Sequence, residues 1–222
     1  MPATERAYPT IGGVPLHYIR TSPDITNYRA RSTSRFEDKL DNFSRDVARV
    51  APAWYGTLEY FATAGAYVNK PKYHGLGRAF DLDLVRWSRV TCGPILGHHR
   101  HRRRAIRRRY IGVDALARRW FKYVLDGWYN AAHRDHMHLD DGGGALVFNT
   151  AYRSDTVFVQ AAANVMIGAG LAIDGLYGPK TNAAFRTMKD RLDIPHRVSV
   201  DAATYRLFLW RLAHRALRDR SL

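Results

Sequence analysis

The sequence contains a single cysteine, and this scarcity excludes two kinds of stabilisation. With Cys92 as the one thiol among 222 residues, neither an intramolecular disulfide nor a zinc cluster built on several thiolates can form. We interpret Cys92 as a small buried strand residue, because a nucleophilic thiol would need a paired histidine and more surrounding motif. A metal site in this chain must therefore use histidine and carboxylate ligands.

Two kinds of hydrophobic segment are also missing. There is no run of about 18 apolar residues, so we expect no transmembrane helix. The first residues include Glu5, Arg6 and two prolines before any apolar stretch, which is not the pattern of a secretory signal peptide. We therefore expect synthesis in the cytoplasm, and a protein acting outside it would need another route of release.

Acidic residues are few, and the formal net charge is +15. Much of the excess lies in residues 98–109, HHRHRRRAIRRR, which hold seven arginines and no acid. Such a run is suited to an anionic partner, either nucleic acid or an anionic cell-wall polymer. The alternative is a solvated loop or helix face. Repulsion among seven arginines favours the partner, but charge does not choose between the two polymers.

Hydrophobic periodicity predicts a mixture of strands and helices in the first two thirds of the chain. Apolar residues at three- and four-residue intervals indicate a helix that begins near Ser34 and ends before Pro52. Alternation predicts a strand over 79–90, with Asp81 and Asp83 on one face. The other elements expected in this part are a strand or buried helix over 57–68, a helix over 113–125, and a strand through His136, His138 and Asp140.

The last third of the chain is predicted to form three helices, over 157–167, 179–192 and 201–217. We place a domain boundary so that residues 1–152 form the main unit and 153–222 a small helical one. The fold class expected is α+β, with a small antiparallel sheet flanked by helices and followed by a three-helix domain.

Two short stretches supply a set of metal ligands. His74 and Asp81 lie on either side of Gly75 and Gly77, which suit a tight turn, and His138 follows on a predicted strand. Two imidazole nitrogens and one carboxylate oxygen leave a fourth position for water, the arrangement that catalytic zinc prefers. We predict a Zn²⁺ site at these three side chains, with the pKa of the bound water lowered to about 7. The alternative is unrelated surface histidines.

A hydrolase also needs a group that moves the proton of water. His136 shares a strand face with His138 and is favoured on that ground. Asp135 is a second candidate, or it orients an imidazole. Asp140 and Asp83 are possible outer partners, with solvent exposure as the alternative for each. The candidates for proton transfer are His136, Asp135 and His133.

The stretches YHGLGRAFDLD and FKYVLDGWYNAAHRDHMHLDD together resemble the LAS metallopeptidases, the group of lysostaphin-type and D-Ala-D-Ala-type enzymes and the hedgehog signalling domain. Within that group the chain is most similar to the extensin-like C-terminal branch. The resemblance covers roughly residues 55–141. It implies a zinc ion held by His74, Asp81 and His138.

The resemblance also implies roles for the remaining site residues. His136 takes the position of the first histidine of His-x-His, and His133 matches a further active-site histidine of the murein endopeptidase branch. Asp135 has the spacing of the acidic base of D-Ala-D-Ala enzymes, so the two precedents disagree about the base. The arginine that usually precedes the first histidine is missing here. Lys70 or Lys72 replaces it as a substrate-binding charge, which favours an endopeptidase over a strict carboxypeptidase.

A second resemblance lies in residues 173–185, IDGLYGPKTNAAF, which are similar to the core of peptidoglycan-binding domain 1 modules. Those modules are three-helix units that hold cell-wall glycopeptide. The alternative is a glycine-rich connection between helices, since the glycines shape a tight loop and Pro179 opens the next helix. The resemblance implies substrate contacts through Asp174, Gly175, Tyr177, Gly178 and Thr181.

These resemblances together predict a zinc-dependent peptidoglycan peptidase of the phage endolysin type. It would cut a peptide bond in bacterial stem peptides or cross-bridges after release through a membrane pore, or as part of a virion. The rival hypothesis is a noncatalytic structural protein that binds the wall or nucleic acid through residues 98–109. Nucleic acid is the less favoured partner.

Overall fold

A computed structural model describes residues 7–21, 25–69 and 71–222. None of the helices in these ranges has the length and apolar character needed to cross a bilayer. The strands are Thr10–Ile11 (β1), Val14–Tyr18 (β2), Thr26–Asn27 (β3), Leu58–Gly65 (β4), Ala79–Trp87 (β5), Thr91–Cys92 (β6), Tyr123–Leu125 (β7) and Met137–Asp140 (β8). The α-helices are Ser34–Val50 (α1), Arg104–Arg118 (α2), Arg153–Ile167 (α3), Pro179–Arg191 (α4) and Ala202–Leu217 (α5).

The eight strands form one sheet in the order β1-β2-β4-β5-β8-β7, with β3 paired to β2 and β6 paired to β5. The α+β class is confirmed, but the predicted antiparallel sheet is instead mixed, because β2 and β4 run parallel. Parallel neighbours need a long crossover connection, and α1 lies in the chain between these two strands. The strands that carry the candidate site, β5 and β8, are antiparallel.

Helix α1 confirms the helix predicted from apolar spacing. Its inward side chains are fully buried, and Phe43 packs on Phe61 of β4 with ring centroids 5.8 Å apart. The ambiguous segment 57–68 contains β4 and is therefore a strand. Strand β4 pairs antiparallel with β5. The buried apolar residues of α1 are Phe36, Leu40, Phe43, Val47 and Val50.

The helix predicted over 113–125 is wrong in its bounds. Helix α2 begins at Arg104, inside the arginine run, and ends at Arg118. Arginine is a good helix former, so a run of arginines continues into a helix without a break. Tyr123 and Val124 belong instead to β7, because extended backbone at this point pairs with β8 and completes the sheet.

Part of the arginine run 98–109 is bonded to other parts of the molecule. Arg104 Nε donates to the carbonyl oxygen of Val165 at the end of α3, at 2.6 Å. Arg108 Nη1 donates to the Asp219 carboxylate at 2.8 Å. These bonds place guanidinium groups near helix C-termini, where cations are favoured. An anionic partner for this run stays a prediction. The exposed arginines of the run are Arg100, Arg102, Arg103 and Arg104.

Strand β5 confirms the alternating strand predicted near residue 80, although it ends at Trp87 and turns back into β6. Cys92 lies on β6 and is buried, as the sequence interpretation expects. Burial raises the pKa of its thiol to about 12, which leaves it protonated and unreactive at neutral pH.

The three C-terminal helices are confirmed, with α3 ending at Gly168 in the left-handed conformation that favours glycine. Helix α3 packs against α2, α4 and β7, and α5 packs against α2. A buried cluster also crosses from α2 to α3: the Arg118 guanidinium bonds to Asp114 at 2.8 Å, to Asp126 at 3.2 Å and to Asp155 at 3.5 Å. The domain boundary at 152/153 stays a prediction.

Candidate metal centre

His74 lies in the turn before β5 and points one ring nitrogen into the site. Its Nδ1 is 2.5 Å from the carbonyl oxygen of Ala66, which can only accept, so Nδ1 is the donor. The lone pair is therefore on Nε2, which lies 3.2 Å from Asp81 Oδ2. Gly77 in the same turn has a φ of 64°, a left-handed conformation that a glycine adopts without strain.

Asp81 and His138 face each other across the antiparallel pair of β5 and β8, where they are direct register partners. Opposed residues in such a pair lie on the same face of the sheet. His138 Nδ1 is 2.9 Å from Asp81 Oδ1, and its other nitrogen, Nε2, is 3.1 Å from Asp140 Oδ2. Asp140 therefore holds the His138 ring with Nδ1 directed at Asp81 and His74.

The three side chains form a group that could hold a metal ion, with ligand atoms all within 4.8 Å of one another. The separations are 2.9 Å and 3.2 Å to Asp81, and 3.2 Å between His74 Nε2 and His138 Nδ1. Donors at bonding distance from a tetrahedral zinc lie about 3.3 Å apart. Two imidazole nitrogens and a carboxylate at this spacing, each fixed by the fold, suit such an ion.

The electrostatics of the group follow from these contacts. Burial acts to raise the pKa of Asp81, but the hydrogen bond from His138 and the neighbouring His74 imidazole outweigh it and hold that pKa well below its usual value. Burial acts to lower the pKa of His138, yet the Asp140 and Asp81 carboxylates raise it to about 9. Without metal at neutral pH, His138 carries a proton at the position where a cation would bind.

This proton makes metal affinity dependent on pH. We expect the apparent zinc affinity to rise about tenfold per pH unit between about pH 6 and 8, because binding must displace the proton of His138, whose metal-free pKa lies above that range. Calorimetry in two buffers with different ionisation enthalpies counts the protons released. An affinity that is flat over this range would contradict the assignment of His138 as a ligand.

The three side chains lie in the wall of an open cavity of about 760 Å³. His133 and His136 line the same cavity, so the structure brings all four predicted site histidines together. Lys72 also lines it, whereas Lys70 lies outside the described residues. The sequence interpretation did not identify four further side chains that line the cavity, three aromatic and one aliphatic. These are Tyr73, Tyr123, Tyr129 and Leu125.

His136 is oriented by a chain of charged groups. Its Nδ1 is 2.8 Å from Asp135 Oδ1, and its Nε2 is 3.8 Å from Asp81 Oδ1, on the metal side. The other oxygen of Asp135 accepts from Arg20 Nη1 at 2.9 Å. Arg20 in turn holds Asp83 with two hydrogen bonds of 2.6 and 2.7 Å. Both oxygens of Asp135 are thus engaged, which is the situation of an orienting carboxylate.

His133 has a different environment. Its Nδ1 is 2.7 Å from the side-chain oxygen of Asn130, a neutral acceptor, and its ring centroid is 5.1 Å from that of His136. Burial, reinforced by the His136 and His138 imidazoles, lowers the pKa of His133 to about 4. His133 is therefore neutral at pH 7, because the Asp81 and Asp135 carboxylates offset only part of these effects.

The predicted substrate contacts of the last third of the chain are engaged with one another and with α3. Gln160 Nε2 donates to Asp174 Oδ1 at 2.8 Å, and Gly175 N donates to Gln160 Oε1 at 2.9 Å. Thr181 is buried, and Tyr177 bonds through its hydroxyl to Asn182, whereas Gly178 is the N-cap of α4. These contacts fit a loop that is held to the neighbouring helices by hydrogen bonds. A role of these residues in binding the cell wall stays a prediction.

Comparison with family models, with curated proteins and with solved structures returned no match to this chain. The function is therefore inferred from the residues and geometry of the site.

Proposed function

We propose that this protein is a zinc-dependent peptidase that cuts a peptide bond in bacterial peptidoglycan. The observation that carries the proposal is the convergence of His74, Asp81 and His138 in the wall of an open cavity that also contains His133 and His136. A metal-ligand triad in an accessible cavity, with separate imidazoles beside it, is suited to metal-assisted hydrolysis.

A zinc ion held by the triad would supply a Lewis acid for the scissile carbonyl and a water of lowered pKa. His136 then takes the proton of the water through Nε2 and delivers it to the leaving amine. Asp135 accepts a hydrogen bond from Nδ1–H of His136 and stabilises the imidazolium that forms, and Arg20 holds Asp135 in place. We favour His136 over His133 as the base, because the Asp135 carboxylate contacts the His136 ring directly, whereas Nδ1 of His133 faces the neutral Asn130 side chain.

Peptidoglycan is supported as the substrate by the two sequence resemblances and by the walls of the cavity. Tyr73, Tyr123 and Tyr129 form apolar walls with polar tips, which suit a peptide backbone with small side chains. Lys72 lies at the same cavity and would attract a carboxylate of the stem peptide. We also propose that residues 173–185 bind the bacterial cell wall near this cavity.

The test is digestion of purified cell walls by the metal-loaded protein, followed by mass spectrometry of the released fragments. We expect new free amino groups at one bond of the stem peptide or cross-bridge, and we expect 1,10-phenanthroline to stop their release. Added Zn²⁺ should restore it, since the ligands remain in place after chelation. Fragments produced at the same rate by the chelated protein, or cleavage confined to glycosidic bonds, would contradict the proposal.

A further inference from the structure

Three surface cavities share lining residues, and we name them together the cationic trough. They measure about 710, 610 and 520 Å³. Arg206 lines both the first and the second, and Leu207 and Trp210 line both the second and the third. The three cavities therefore adjoin one another, from the Gly142–Gly144 corner along α5. None of its wall residues belongs to the arginine run 98–109.

Positive charge dominates the walls of the trough. The first cavity is lined by five Lys and Arg side chains, the second adds Arg49 and Arg119, and the third adds three more. Against these ten cations, the carboxylates that line it among the described residues are Asp141 and Asp193. Asp141 is already bonded to Arg78 at 2.6 Å. The trough thus carries a large excess of positive charge for an anionic ligand.

The aromatic rings of the trough are covered by guanidinium groups. The Arg49 guanidinium lies 4.4 Å from the Trp210 ring centroid, and that of Arg206 lies 5.3 Å from the Trp120 centroid. Arg119 sits between the two indoles, at 4.7 Å from Trp210 and 5.8 Å from Trp120. Cation–π contacts of this kind hold the arginines in fixed positions. They also occupy ring faces on which a nucleobase would stack.

A buried acid anchors this arrangement from below. Asp46 on α1 accepts a hydrogen bond from Trp120 Nε1 at 2.7 Å and a further one from Arg119. Burial lowers the pKa of Arg119, and the neighbouring Arg206 and Arg49 act in the same direction against the attraction of Asp46. Positive charge is thus concentrated here beyond what the local acid neutralises.

We propose that the cationic trough binds a phosphodiester polymer that lacks bases, of the poly(glycerol phosphate) kind. Fixed guanidinium groups pair bidentately with phosphate oxygens, and successive arginines along the trough match successive charges of a flexible chain. Covered indole faces disfavour a nucleic acid read through its bases. Asp140 lines the metal cavity and the next residue in the chain, Asp141, lines the trough.

The experiment uses the full-length protein and poly(glycerol phosphate), with tryptophan fluorescence or calorimetry as the readout at two salt concentrations. The test variant is Arg49→Glu with Arg206→Glu, both exposed in the trough. The matched control is Arg102→Glu with Arg103→Glu, which changes the charge equally in the exposed run. We expect the trough variant to weaken binding by at least about 30-fold and to reduce the salt slope by about two, and the control to change affinity less than about threefold.

A second variant, Arg49→Gln with Arg206→Gln, separates the loss of contacts from the loss of folding. It should lose an intermediate amount of binding affinity, and its circular dichroism spectrum should be unchanged. Equal weakening by trough and control variants would show attraction by net charge alone and overturn the proposal. Binding of an oligothymidylate over tenfold tighter than that of an abasic phosphodiester of equal length would also overturn the proposal. Equal affinity for polyglutamate and for poly(glycerol phosphate) would overturn it as well. Chelation of metal should leave the binding unchanged, so this result stands apart from the peptidase.

Discussion

Replacing His138 by alanine is expected to abolish both zinc binding and wall digestion. The change removes one of two imidazole ligands and frees Asp81 and Asp140, whose carboxylates both contact the His138 ring. We expect the rate of peptide-bond cleavage to fall by at least about 10³-fold, because several kcal/mol of charge stabilisation depend on the metal. Metal analysis of the purified variant and fragment release from walls measure the two losses separately.

The control for this variant is His196→Ala. His196 lies outside the metal cavity and bonds to Asp190 at 2.8 Å on the surface, so its loss should change neither zinc content nor digestion. A His138→Ala protein that keeps stoichiometric zinc, or that digests walls at the original rate, would refute the assignment of the ligand triad. Circular dichroism of both variants checks that the fold is retained.

The second large effect is expected for His136→Ala, which should lower the cleavage rate by about 10² to 10⁴-fold while zinc content stays unchanged. His136 directs Nε2 toward the metal side and is backed by Asp135, whereas it is not among the three ligands. The separation of activity from metal content distinguishes a base from a ligand. Parallel measurement of zinc and of fragment release therefore tests the role directly.

Two matched variants test which group is the base. Asp135→Asn should cost less than His136→Ala, because asparagine still occupies the space of an orienting group. His133→Ala should also cost less, since the pKa of His133 is already lowered to about 4. If Asp135 itself moved the proton, Asp135→Asn would cost as much as His136→Ala. That outcome would replace the proposed mechanism by one with a carboxylate base.

Local pattern was sufficient for much of the secondary structure. The apolar spacing of α1 and the alternation of β5 are properties of neighbouring residues, and both elements lie close to where the pattern indicates. Helix α2 begins at Arg104 rather than at residue 113, because the helix continues into the arginine run, which lacks the apolar spacing used to predict it. Its stability in the fold depends on distant groups, such as the Val165 carbonyl that accepts from Arg104.

The candidate site divides in the same way. His74, Asp81 and His138 were predicted from spacing, since period-two alternation on strands fixes which side chains share a face. Arg20 could not be foreseen, because it contacts Asp83 and Asp135 at separations of 63 and 115 residues. No signal in the sequence near Arg20 marks these contacts. The choice of His136 over Asp135 as base depends on that unforeseen guanidinium.

The sequence by itself determined the α+β class and the helices at the end of the chain and predicted the candidate ligand set, because these depend on residue chemistry and on short-range periodicity. Only the tertiary structure decided the mixed order of the sheet, the internal use of the arginine run and the position of the cationic trough. The trough combines Arg49 from α1, Arg119 and Trp120 after α2, and Arg206 and Trp210 from α5. Side chains so far apart in the chain become neighbours through packing, which no local pattern records.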